Sequence, residues 1–136
     1  MRRSGVALFV SIVLGATASH AFSEEPNWAG EYADKSFLNG QAVFQMSLEQ
    51  TGKTVSVWFS AGYNDGHGCG PDATGTGKVT TKGILEFTFQ DSANNSGTGT
   101  IMRAGDGITV SMKTTRVADS RCVVFYRQNI RLKRVK

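Results

Sequence analysis

Apolar and polar residues alternate along most of the chain from residue 28 onward. In Ala42-Val43-Phe44-Gln45-Met46-Ser47-Leu48-Glu49, the residues Ala42, Phe44, Met46 and Leu48 fall on one side and mostly polar residues on the other. This is the period-two pattern of a strand with one buried face. Residues 54–61 repeat it with Val55, Val57, Phe59 and Ala61. Between the two, Gln50-Thr51-Gly52-Lys53 supplies a glycine for the positive φ of a tight hairpin. Further extended segments are predicted at 28–33, 74–80, 84–90, 97–103, 108–114, 121–126 and 129–133. Nowhere after residue 21 do apolar residues recur at spacings of three and four through two full turns, so no long helix is predicted. The pattern therefore predicts an all-β fold, an antiparallel meander of about eight short strands. One-sided strands need their apolar face covered, and closing the sheet into a small barrel does that while removing exposed edges. A two-sheet sandwich is the alternative.

The first residues follow a different rule. Met1-Arg2-Arg3 is a basic head, residues 6–18 are almost wholly apolar or small, and Ser19-His20-Ala21 ends in a small-x-small pattern. Together these predict a secretory signal over 1–21. The apolar run is shorter than the roughly 18 residues a membrane span needs, so no stable membrane anchor is predicted. Residues 22–136 then form one β-barrel domain, periplasmic or secreted. In such an oxidising compartment Cys69 and Cys122 read as one disulfide, since their spacing suits neither a zinc site nor a paired redox motif.

Composition adds little beyond this: 40% hydrophobic and 19% charged residues are ordinary for a globular domain. Charge is uneven, however. The formal net charge is +4, and Arg121, Arg127, Arg131, Lys133, Arg134 and Lys136 close the chain with no acid among them. With no aromatic-rich basic platform beside them, these cations predict a solvated closing strand and no nucleic-acid partner.

Residues 62–77 carry the most unusual composition. Glycine recurs at Gly62, Gly66, Gly68, Gly70, Gly75 and Gly77, together with Pro71, Cys69 and His67. Glycine at this density permits uncommon φ values and exposes backbone N–H groups. A bridge from Cys69 to Cys122 limits the segment's freedom and lowers the ordering cost of recognition. Tyr63, Asn64, Asp65 and His67 are the candidate binding side chains there. The segment is no phosphate loop, because Gly77-Lys78 runs into Val79 of a strand. No nucleophile–base constellation or paired carboxylate is visible in the sequence, so no enzymatic activity, catalytic residue, metal or cofactor is predicted. Trp58 falls opposite Val57 and Phe59 and is expected to point outward or into a second layer.

Two short stretches resemble known families. Trp28-Ala29-Gly30-Glu31-Tyr32 is similar to the opening of the up-and-down barrels of lipocalins and avidins, although Pro26 stands where lipocalins carry glycine. That resemblance implies a barrel whose tryptophan is covered by a basic residue of the last strand, Arg131 or Arg134. Ser60-Ala61-Gly62-Tyr63 resembles the loop that periplasmic lysozyme inhibitors insert into the enzyme's cleft, which adds Ser60 to the candidate binding residues. The combined expectation is a monomeric exported binding module that docks on a protein target, a lysozyme or another wall-degrading enzyme. The alternative is a small-ligand barrel. It is disfavoured because Phe37, Phe44, Met46, Phe59, Phe87 and Phe89 are bulky enough to fill a narrow interior.

Overall fold

The one-sided strands bury their apolar faces by curling the sheet until its two edges meet. The computed structural model describes residues 27–136; the export signal read at 1–21 lies outside the described residues. Eight strands follow in order: β1 (Gly30–Ser36), β2 (Ala42–Thr51), β3 (Thr54–Tyr63), β4 (Asp72–Val79), β5 (Leu85–Asp91), β6 (Ser96–Ala104), β7 (Gly107–Arg116) and β8 (Ile130–Arg134). Each pairs antiparallel with the next, and β8 returns to β1 to close a barrel. The tight turns fall where glycine permits positive φ, at Gly52 between β2 and β3 and at Gly105 between β6 and β7.

The interior is filled by rings. Phe44 stacks on Phe59 with centroids 5.5 Å apart, and Phe59 meets Phe89 edge-on at 5.2 Å. Phe87 lies in register between Gly77 and Gly99, and Phe89 between Gly75 and Gly97. A Cβ on Gly99 would stand 2.5 Å from the Phe87 ring, and one on Gly97 would stand 2.5 Å from the Phe89 ring. These glycines make room for the rings that fill the barrel. The outer face carries Gln45, Ser56, Thr76, Glu86 and Lys113. That polar wall is the reverse of the apolar band a membrane-spanning barrel shows to lipid.

Two expectations change. Residues 121–126, read as a strand, instead form a 3₁₀ helix at Ser120–Phe125 with Tyr126 just past its end. Asp119 accepts from the Arg121 N–H, and Cys122 and Phe125, three residues apart, both turn inward while Val123 and Val124 face solvent. That spacing suits the three-residue turn of a 3₁₀ helix, whereas a strand would place them on opposite faces. The second change concerns Trp28. The strand begins at Gly30, and Trp28 sits ahead of it as a buried plug with the Arg103 guanidinium of β6 over its ring at 4.9 Å. Arg131 points away, opposite Thr109, while Arg134 caps the same end of the barrel through Tyr32, at 5.9 Å. A last-strand arginine does cover this end, but over the tyrosine.

A buried polar network holds the 3₁₀ helix against the barrel. The Asp91 carboxylate accepts from the Tyr126 hydroxyl, the Asn95 side chain, and the backbone N–H groups of Ala93 and Asn95. The Asn95 carbonyl in turn accepts from the N–H groups of Ala118 and Asp119, at 2.7 and 2.9 Å. Asn95→Ala strands those two donors and removes one of the two bonds to Asp91 Oδ2, which keeps the Tyr126 hydroxyl. It is expected to cost about 3 kcal/mol, read as a lowered denaturant midpoint with an unchanged slope.

Burial by itself would push the Asp91 carboxyl up, but its hydrogen bonds from Tyr126, Asn95 and Ala93 outweigh this and hold it below the usual carboxylate value. Burial first, and then Asp91, push the Tyr126 phenol well above its ordinary value. A carboxyl depressed on folding contributes stability that is present above its unfolded value and lost as pH falls through its folded one. Stability is therefore expected to drop below about pH 4. In Asp91→Asn this acid slope should be shallower; an identical slope in wild type and variant would refute the assignment.

Candidate functional site

The segment between β3 and β4, residues 64–71, stands at the barrel end opposite Trp28. It is braced from three sides. At its base, the Asn64 N–H donates to the Gln41 carbonyl at 2.9 Å and the Asn64 side chain to the Gly40 carbonyl at 2.9 Å. These bonds tie the loop to the turn at Phe37–Gly40, where Leu38 and Asn39 both take left-handed backbone conformations. In its middle, Cys69 is bonded to Cys122 of the 3₁₀ helix, with both cysteines buried. At its end, the Pro71 carbonyl accepts from the Ala61 N–H at 3.0 Å. The buried disulfide places the folded chain in an oxidising, non-cytoplasmic environment.

Tyr63 and His67 are the centre of this surface. Their rings stack with centroids 4.0 Å apart, and Tyr63 meets Phe125 edge-on at 5.5 Å, so the stack rests on the core. Gly66 and Gly68 both have positive φ, +80° and +70°, which bends the chain back far enough to lay His67 on Tyr63. Asp65 accepts from the His67 backbone N–H at 3.0 Å and also contacts Nδ1 of its ring. The backbone N–H first, then the ring, holds the Asp65 carboxyl below its usual range. Both side chains stay open, 61% exposed at His67 and 72% at Asp65. The contact engages Nδ1 and orients the imidazole, while the side chain as a whole stays open to solvent.

The candidate residues do not form one surface. Tyr63, Asn64, Asp65 and His67 gather at the barrel mouth, but Ser60 does not join them. Three residues before Tyr63 on the same strand, Ser60 faces the outer wall, paired in register with Asp72. There it neighbours Trp58, which takes the outward one of its two expected orientations, 37% exposed, with Nε1 donating to Asp72 at 2.7 Å. The loop is also shorter than the glycine-rich stretch suggested, because Gly75 and Gly77 belong to β4 and serve the interior. Among the described residues, Cys69, Asp119 and Cys122 are close enough together to suggest a metal group, but both sulfurs are consumed by the disulfide. Asp119 is instead paired with Arg121 at 2.8 Å. Sequence reading missed Asp91, Asn95 and Tyr126, which lock the 3₁₀ helix beneath the loop. The chain matches no protein-family model, no curated protein and no solved structure.

Proposed function

We propose that the protein is an exported binding module, periplasmic or secreted, whose disulfide-braced mouth loop docks on a protein target. The favoured target is a wall-degrading enzyme such as a lysozyme, which the module inhibits by occupying its cleft. The observation that carries this reading is the Tyr63–His67 stack, exposed at its outer edge and fixed from below by Phe125 and the bridge at Cys69. A loop held this firmly gives up little conformational entropy on binding. Tyrosine over a solid base is a common anchor of such interfaces. In a glycan cleft lined by carboxylates, His67 Nε2 and the Gly68 N–H are suitable donors. The filled interior supports this reading over the small-ligand alternative, which needs a cavity among the rings.

The test is retention of envelope proteins on the immobilised oxidised domain. A lysozyme-class enzyme should be retained by the wild type. With the fold intact by circular dichroism, Tyr63→Ala or His67→Ala should weaken that retention by roughly 30-fold, the scale of a central anchor. Equal retention by both variants would exclude the loop as the docking surface.

A further inference from the structure

We propose that the outer wall of β4 to β7 carries a separate binding site for a glycan chain. Outward side chains on these strands form cross-strand rows. In one row Thr76, Thr88 and Thr98 stand in register, with Lys113 next to them on β7; the neighbouring row reads Lys78, Glu86, Thr100 and Ser111. Together they line a recess of about 770 Å³, within the range of sites that hold small organic ligands. The recess exists because short hydroxyl side chains lie between longer ones. Gln128 fixes one wall by donating to the Met112 carbonyl at 3.0 Å. The floor includes the backbone of Gly77 and Gly99, the glycines that admit Phe87 inside the barrel.

The lining chemistry selects the occupant. Each threonine offers a methyl group and a hydroxyl that both donates and accepts, the same mixture a sugar ring presents. An apolar ligand would strand the hydroxyls of Thr76, Thr88, Thr98, Thr100 and Ser111 without water or a partner. A polyanion would meet Glu86 as well as the two lysines. Beside the recess, Trp58 pairs in register with Thr74, two residues along β4 from Thr76 and on the same face. Its Nε1 is already engaged by Asp72, so what it presents is an apolar ring face for the C–H side of a sugar. The inference stands apart from the mouth loop and does not depend on the function proposed for it.

The experiment is a titration of the ¹⁵N-labelled oxidised domain with the hexamer of β-1,4-linked N-acetylglucosamine, followed by amide chemical shifts. Saturable shifts are expected on β4 to β7. Thr88→Val with Thr98→Val keeps the β-branched shape and removes two hydroxyls, and should weaken binding about tenfold. Trp58→Ala, away from the core, should weaken it as well and gives the reading if the double variant unfolds. Tyr63→Ala should bind like the wild type, so failure here is distinguishable from failure of the loop reading. Absence of saturable shifts at millimolar sugar, shifts confined to residues 63–67, or wild-type binding by the folded wall variants would overturn the proposal.

Discussion

Gly75→Ala should prevent the barrel from folding stably, a loss on the order of 4 kcal/mol or more. A Cβ on Gly75 would stand 1.8 Å from the Thr88 carbonyl oxygen and 2.9 Å from its carbon. Both atoms are backbone of the paired strand β5, so no rotamer change relieves the contact. The strands must separate where Phe89 fills the interior, and the Gly75–Phe89 pairing is lost with them. Gly62→Ala is the matched control, because its Cβ would meet nothing closer than the Gly70 Cα at 3.9 Å. In a strand that change should be neutral or slightly stabilising. Thermal unfolding of the two variants decides the matter: equal midpoints would show that Gly75 is not needed for the close approach of β4 to β5.

Replacing both bridge cysteines, Cys69→Ser with Cys122→Ser, is expected to remove roughly 4 kcal/mol, the loop-closure value for the 53-residue separation. Because a domain has only about 5–15 kcal/mol in total, this is a large share of its stability. The loss should also be uneven. The strand ladder stays closed through β1 and β8, while residues 64–71 and the 3₁₀ helix lose their covalent tie. Hydrogen exchange should therefore quicken first at the mouth and last in β2 and β3. A denaturant midpoint unchanged by the double replacement would contradict this account of the bridge.

The strands were legible in the sequence wherever alternation was strict and turns carried glycine. For β2 and β3, the faces given by Phe44, Met46, Val57 and Phe59 are the faces found. Residues 121–126 were not legible as helix, because a short apolar run fits a strand equally well. What decides it is the inward direction of Cys122 and Phe125, set by the bridge and by a network 23 to 35 residues away in sequence. Asp91 and Asn95 sit in Asp91-Ser92-Ala93-Asn94-Asn95-Ser96, a composition typical of an exposed turn, and only tertiary contacts bury them. The division between Ser60 and Tyr63 was readable in principle. Three residues apart on one strand means opposite faces, and the resemblance to an inserting loop obscured that parity. The glycine-rich segment announced a constrained loop through Cys69 and His67, but not that Gly75 and Gly77 belonged to the barrel wall.

The most direct test of the central claim is the rate at which a lysozyme clears a suspension of bacterial wall in the presence of excess oxidised protein. The account predicts slowed clearing that saturates as the module reaches the enzyme's concentration and is relieved by Tyr63→Ala. An unchanged clearing rate at every excess would contradict it.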